Sequence, residues 1–374
     1  MRVVFRTDAS MQIGTGHLMR CLALANELRE QAAECLFVCR EHAGHLLAHV
    51  RSSGFEAYAL PKPAETASYE SDLAHASWLG VDWSIDAQQT REVLADKRFD
   101  WLVVDHYSLD HRWESALRFS CKRMMVIDDL ADRRHDCDLL LDQNYYLDLN
   151  QRYQDLLSDK CLSLLGPSFV LFRQEFYLAK HGLRDRDGIV RHILVFFGGN
   201  DSTNQTEKAL KALGRLQLKD ISIDVVVGST NANRESIRRL CDRQTDVTYH
   251  CNISNMAELV AKADLGIGAG GTAMWERCFL GLPTITVVLA ENQFRTTEDV
   301  ASAGAIEFLG RSDSLETEDY SHAILNLILD RQRLKQISDS ALHLMKLTLE
   351  ASVVDVILNY NRYSDHGEDH GSTP

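Results

Sequence analysis

The sequence predicts an α/β protein of two domains, each a parallel sheet covered by helices. Three observations carry this. Short Val-, Ile- and Leu-rich runs alternate with longer amphipathic stretches almost from end to end, which is the pattern of repeated βαβ units. Each apolar run closes in polar residues, where open α/β sheets place their ligands. Between residues 145 and 191 the strand rhythm lapses into polar, helix-prone sequence and divides the 374 residues into two similar halves.

In the first half the strand-like runs cover residues 2–7, 35–40, 101–105, 124–128 and 139–142. In the second they cover 192–197, 223–228, 247–249, 265–268 and 283–289, with helices expected over 205–216, 235–243 and 272–280. Residues 1–150 are therefore assigned to an N-terminal Rossmann-like domain, 151–190 to an interdomain linker or helical segment that includes HGLRDRDG, and 191–362 to a C-terminal Rossmann-like domain. The tail over 363–374, ending SDHGEDHGSTP, is too polar and Gly-rich to pack and is expected to be disordered. The two parallel sheets are expected to face a central cleft.

Composition narrows the function. The chain is 45% hydrophobic and 25% charged, enough to bury full cores. Asp and Glu outnumber Lys and Arg by 54 to 40, a net charge of −14. No broad basic surface is therefore available for a nucleic-acid backbone, and an anionic ligand has to be held locally. The opening MRVVFRTDAS lacks the apolar core of a secretory signal, and no run is long enough to span a bilayer, so a cytoplasmic protein without a membrane partner is expected. The nine cysteines lack CxxC spacing, HExxH does not occur, and His45 with His49 has no carboxylate companion. No metal site and no cofactor are expected.

The first strand leads into TDASMQIGTGHLMRCLALANEL. Leu18, Cys21, Leu22, Ala25 and Leu28 recur at helical spacing, so a helix begins near Gly16 or His17. The turn through Gly14 and Gly16 lets backbone approach a ligand closely. A dinucleotide fingerprint is not met, because Met19 stands where its third glycine belongs. The positive end of the helix dipole disfavours a second positive charge, which leaves His17 a neutral imidazole usable as a base, or a residue that caps the loop. Arg20, one turn on, either holds phosphate or pairs with Asp8.

The most pronounced motif of the second half is ADLGIGAGGTAMWERCFLGLPTITVVLAENQ. A strand runs into a glycine-rich turn at Gly270 and Gly271, a helix opens at Thr272, and its exposed amides suit a diphosphate. No Lys-Ser or Lys-Thr follows the glycines, which argues against nucleoside-triphosphate chemistry. Glu276 lies one turn into the helix, either gripping ribose hydroxyls or simply solvated. Trp275 and Phe279 read as core. Asn292 and Gln293 follow the next strand with amides that suit sugar groups, and Gly199 with Asn200 forms a second glycine turn at the end of strand 192–197.

Taken together, FRTDASMQIGTGHLMRCLALA, VVDHY, IDDLADRRHDCDLLLDQN, GPSFVLFRQEF, FFGGND and GAGGTAMWERCFLGLP resemble the PseG family and the related SpsG-like proteins over residues 1 to about 310. The resemblance implies the two-domain GT-B architecture of MurG-like proteins. It implies metal-independent, inverting hydrolysis of UDP-2,4-diacetamido-2,4,6-trideoxy-β-L-altropyranose, a step of pseudaminic acid biosynthesis, by a monomer or weak homodimer. His17 falls on the family's catalytic base, Glu276 on the ribose grip and Gly270–Thr272 on the diphosphate loop. Asp105, Tyr107 and the pair Asp128–Asp129 are expected to line the sugar side. FFGGND departs from the GGSD or GGTD form of the family, which bears on Asn200. The rival reading is a MurG-like glycosyltransferase using a UDP-sugar donor. The chain shows no basic, apolar segment in its first half for docking at a membrane, which favours water as the acceptor.

Overall fold

Among the described residues every pairing between strands is parallel. In this computed structural model, which describes residues 1–62, 73–95, 97–346 and 351–364, the strands are β1 (Arg2–Thr7), β2 (Glu34–Arg40), β3 (Glu56–Leu60), β4 (Phe99–Asp105), β5 (Cys121–Ile127), β6 (Leu139–Asp142) and β7 (Leu162–Leu165), followed by β8 (His192–Phe196), β9 (Ser222–Val227), β10 (Val247–Cys251), β11 (Leu265–Ala269), β12 (Thr284–Val288) and β13 (Glu307–Arg311). The first sheet runs β3-β2-β1-β4-β5-β6-β7 and the second β10-β9-β8-β11-β12-β13. In both, the first strand lies inside the sheet and the order reverses beside it, so the loops after β1 and β4, and after β8 and β11, part from one another. Open α/β sheets place their ligands at such switch points.

Helices cover both faces, which is why the central strands read as unbroken apolar runs. β6, β11 and β12 are buried along their whole length. The strands that the sequence reading missed, β3, β7 and β13, stand at sheet edges and are only partly buried. Edge strands carry shorter and more polar sequence, so their periodicity is weak.

The chain divides into two units at places other than those expected from sequence. The first comprises Met1–Asn144, Asp148–Leu171 and the described part of Leu347–Pro374, and the second comprises Tyr145–Leu147 and Phe172–Lys346. Two interactions move the boundaries. β7 pairs with β6 and carries the first sheet past residue 150, and the helix Val353–Leu358 buries Val353, Val354, Val356 and Ile357 in the N-terminal core. The segment expected as a linker is also pinned at its far end: Arg186 donates to the carbonyls of Val260, Ala263, Leu280 and Gly281, and Arg184 reaches Asp264. These contacts satisfy carbonyls at the ends of the helices Met256–Lys262 and Thr272–Phe279. Of the tail expected to fray, residues 365–374 lie outside the described residues.

A buried ion network secures the loop that follows β1. Arg6, wholly buried, donates to both oxygens of Asp8 at 2.7 and 2.9 Å and to both of Asp86 at 2.6 and 3.1 Å. Arg40 joins through its backbone N–H to Asp8 and its side chain to Asp86, each at 2.6 Å. Asp86 belongs to the helix Trp83–Leu94, so the ends of β1 and β2 are tied to one helix. Breaking a buried pair of this kind costs about 3–5 kcal/mol.

A second buried cluster lies beyond β5. His135 Nδ1 is 2.7 Å from Glu114 and its Nε2 is 3.8 Å from Asp128. Burial alone pulls its pKa down, but the two carboxylates outweigh this and push it up to about 9 from an ordinary 6.5. Since the folded value is the raised one, this stabilisation is complete below pH 6.5 and is lost as pH rises through 9. Urea unfolding is expected to show stability falling by a few kcal/mol across that window, at about 1.4 kcal/mol for each pH unit. In His135→Gln the dependence should flatten, and an unchanged slope would show that the imidazolium is not held.

Candidate active site

The helix Gly16–Glu30 starts at the switch point between β1 and β4, without a side-chain cap. Its loop is closed by Gly14 N–H on the Ser10 carbonyl at 2.9 Å and by Ser10 Oγ, which accepts from Gln12 and Ile13. Gly14 holds φ +82°, a conformation that disfavours any other residue, and Gly14 and Gly16 are both exposed. His17, on the first turn, turns inward and is 7% exposed.

Its Nδ1 lies 2.6 Å from Oδ1 of Asp105, the last residue of β4. Arg20 Nε and Nη2 donate to the two oxygens of the same carboxylate at 2.6 and 2.7 Å, and Nη1 reaches Asp129 at 3.1 Å. Burial by itself would raise the pKa of Asp105, but Arg20 and His17 hold the carboxyl well below its usual range. The ionised acid can only accept, so Nδ1 bears a proton, and in the neutral tautomer that this selects the free lone pair is on Nε2.

This arrangement corrects three expectations. Arg20 does not pair with Asp8, which is taken by Arg6, and its guanidinium is engaged by Asp105 and Asp129 rather than turned out toward phosphate. Asp105 is wholly buried behind the imidazole instead of lining the sugar side. Asp128 is likewise buried, 2.8 Å from Arg133, and only Asp129 of that pair keeps some exposure.

Tyr107 packs edge-on against His17 with ring centroids 4.5 Å apart, and its hydroxyl donates to Asp129. Trp78 stacks on Tyr107 at 5.6 Å, with His75 against both rings. The sequence reading missed His75 and Trp78, which lie on a short turn outside any motif. The site is thus an imidazole walled by aromatic rings on one side and fixed by a carboxylate behind.

The second unit repeats the geometry of a switch point at β8 and β11. After β8, Gly198 holds φ +86°, and Gly199 and Asn200 are exposed. Asp201 of the same block is buried and accepts from the amides of Gln205 and Thr206, both at 2.9 Å, so it serves the start of the helix Gln205–Leu216. After β11, Gly271 holds φ +77°, and a Cβ at Gly270 would meet Thr297 Oγ1 at 2.7 Å. Thr272 is exposed at the start of the helix Thr272–Phe279.

Gln293 braces this turn. Its Oε1 accepts from Leu289 N–H at 3.1 Å, and a Cβ at Gly271 would stand 3.3 Å from its Nε2. Asn292 is exposed on the same turn, Glu291–Gln293. Glu276 is half-buried one helical turn in and accepts from Arg173 at 3.1 Å, while Arg173 also holds Glu175 at 2.5 Å. Burial raises the pKa of Glu276 against the pull of Arg173. Arg173 stands in GPSFVLFRQEF, so the motif was noticed without its role. Trp275 is core, as expected.

Two Rossmann-like α/β units with glycine turns at their switch points define a protein of the MurG-like GT-B fold class. A solved structure of Acinetobacter baumannii MurG superposes with a TM-score of 0.63 at 15% identity, covering 96% of this chain and all of that one. The model of the glycosyltransferase family 28 C-terminal domain matches residues 192–352. Within that class the chain is similar to the PseG-like proteins. The UDP-2,4-diacetamido-2,4,6-trideoxy-β-L-altropyranose hydrolase of Campylobacter jejuni is 23% identical over 81% of this chain and 97% of its own length. The uncharacterized protein MJ1062 of Methanocaldococcus jannaschii is 26% identical over 79% of this chain, which spans 57% of that longer protein. Among the described residues, no helix is long and apolar enough to cross a membrane.

The clamp on His17 predicts its tautomer. Nitrogen-resolved NMR of the neutral ring is expected to show the proton on Nδ1. In Asp105→Asn, Arg20 retains the amide oxygen and the NH2 group faces the ring, so the proton should move to Nε2. An unchanged tautomer in that variant would mean that Asp105 does not set it.

Proposed function

We propose that this protein is a UDP-sugar-processing enzyme that cleaves its substrate with water, His17 serving as general base. One observation carries the reading: Nδ1 of His17 is fixed 2.6 Å from a buried carboxylate beside a glycine loop at a strand switch point. A carboxylate that locks one nitrogen leaves the other as proton acceptor and stabilises the imidazolium that forms.

In the reaction, water attacks the anomeric carbon while His17 Nε2 takes its proton. The bond from that carbon to the β-phosphate oxygen breaks, and its electron pair leaves with UDP. Inversion follows from attack on the face opposite the leaving group. The diphosphate is assigned to the amides at Gly270, Gly271 and Thr272, whose dipoles stabilise the developing charge. Neither a second carboxylate nor a metal ion is called for in this scheme, because UDP departs as a stabilised anion.

Glu276 is assigned to the ribose hydroxyls, with Arg173 holding its carboxylate in place. Gly14, Gly16 and Tyr107 are assigned to the sugar end, and Gly199, Asn200, Asn292 and Gln293 to polar contacts around the nucleotide-sugar. The relative from Campylobacter jejuni supports UDP-2,4-diacetamido-2,4,6-trideoxy-β-L-altropyranose as the sugar to test first, which would place the enzyme in pseudaminic acid biosynthesis. The family 28 match supports the alternative, a MurG-like transfer of the sugar to an alcohol. The two differ only in the acceptor.

Incubation with that nucleotide-sugar in EDTA, without an acceptor, is expected to release UDP and the free sugar with inverted anomeric configuration. UDP release only after an alcohol acceptor is added would favour the transferase. His17→Asn should lower kcat by at least about a hundredfold, the scale of a lost general base, and leave UDP affinity almost unchanged. Near-normal turnover in that variant would remove His17 from the mechanism.

The ribose assignment has its own test. Wild-type protein should bind UDP about tenfold more tightly than 2′-deoxy-UDP, the scale of one hydrogen bond to a charged group. Glu276→Ala should lose that preference. Equal affinities in the wild type would exclude the grip.

A further inference from the structure

Arg277 lies on the helix that opens at Thr272, yet its side chain does not turn outward. It is 3% exposed and runs back toward the helix N-terminus, the direction in which helical side chains lean. Nη2 donates to the carbonyl of Ala269, the last residue before the glycine turn, at 2.5 Å. Two strand glycines make room for it. A Cβ at Gly266 would stand 3.3 Å from Cδ of Arg277, and one at Gly268 would stand 2.9 Å from Nη1. Gly266 and Gly268 alternate along β11 and therefore face the same side of the sheet.

Among the described residues no carboxylate pairs directly with this charge, and Glu276 acts on it only from beyond ion-pair distance. The other buried arginines each meet a carboxylate: Arg6 at Asp8 and Asp86, Arg20 at Asp105, Arg40 at Asp86 and Arg133 at Asp128. Arg277 has none within ion-pair distance among the described residues, and Nε and Nη1 have no hydrogen-bond partner. Glu276, its neighbour in sequence, is turned to Arg173 instead. Burial lowers the pKa of Arg277 to about 10, which leaves it charged at neutral pH. A buried cation without a partner is costly unless something anionic offsets it.

We propose that Arg277 is the internal cation of the C-terminal anion site, placed behind the turn at Gly270 and Gly271 so that a bound diphosphate supplies the counter-charge the fold withholds. This rests on the reading of that turn as a diphosphate site. The amides set the geometry of the anion, and the guanidinium adds a full positive charge in a region of low dielectric, where it acts strongly over a short range. Arg277 is one of the neighbours that leave no room for a side chain at the two strand glycines, together with Thr284 Oγ1 and Leu282 at Gly266 and the Phe196 carbonyl at Gly268. A protein with a net charge of −14 thereby holds a polyanion with one buried charge.

Calorimetry on the full chain with inorganic pyrophosphate, UDP and uridine tests this. Arg277→Met keeps the volume and removes the charge. Pyrophosphate and UDP affinity should fall at least about tenfold, uridine affinity should stay within about twofold, and the Tm of the unliganded variant should match or exceed that of the wild type. Equal loss of UDP and uridine affinity together with a lower Tm would mean that Arg277 merely pins the Ala269 carbonyl, and would overturn the proposal. So would a Met variant that binds pyrophosphate as tightly as the wild type. Arg277→Lys, which keeps the charge without the fork, should retain most of the pyrophosphate affinity, and its loss there would count against an electrostatic role. Wild-type protein that binds pyrophosphate through Arg277 but gains nothing from the uridine moiety would refute the UDP reading and leave the cation in place.

Discussion

The carboxylate of Asp105 is the point on which the N-terminal site depends. It closes β4 next to β1 and so faces the first turn of the helix that β1 feeds. Three groups from that helix converge on it: the imidazole of His17, the guanidinium of Arg20 and, more distantly, the thiol of Cys21 at 3.5 Å. Because Arg20 binds both oxygens, the carboxylate cannot turn, and a carboxylate that cannot turn fixes the ring in front of it. The Arg6–Asp8–Asp86–Arg40 network does the same for the loop leading to that helix. The geometry around His17 in this unit is therefore a product of buried charge rather than of loop packing.

The C-terminal unit solves a different problem at the same topological position. Its crevice between β8 and β11 is built from backbone: positive-φ glycines at 198 and 271 and the start of a helix. Gln293 supports the turn from the following loop, and Arg173 holds the carboxylate of Glu276. A site made of amides needs little sequence-specific charge, which is consistent with the net charge of −14. Of its charged side chains, Arg277 is buried and Glu276 and Arg173 hold each other.

The two units illustrate how one arrangement of βαβ repeats supports separate tasks. Reversal of strand order opens a gap at the strand ends in each sheet. Residue choice on the following helix then decides what the gap does. In the proposed reading, His17 held by Asp105 makes the first an acid–base site. In the same reading, the glycines, Thr272 and Glu276 make the second an anion and hydroxyl site.

Local signals along the chain were enough for the fold class, the central strands and both glycine turns, because buried parallel strands need continuous apolar runs and ligand turns need glycine. They made His17 and Glu276 candidates, each by its distance from a glycine turn on its own helix, and it was the family resemblance that chose between their possible roles. No local signal marked the edge strands β3, β7 and β13, whose partial burial blurs their pattern, or the domain boundaries, which depend on β7 pairing with β6 and on a C-terminal helix returning to the first core. Nor could the chain alone show which acid meets which base. Asp8 was a candidate partner for Arg20 on proximity in the chain, whereas strand order brings Asp105 to it from 85 residues away. That no carboxylate among the described residues pairs with Arg277 was equally hidden, because a missing counter-charge is a property of the packed interior. Periodicity is written along the chain, but the ion pairs of these sites are decided by which strands lie side by side.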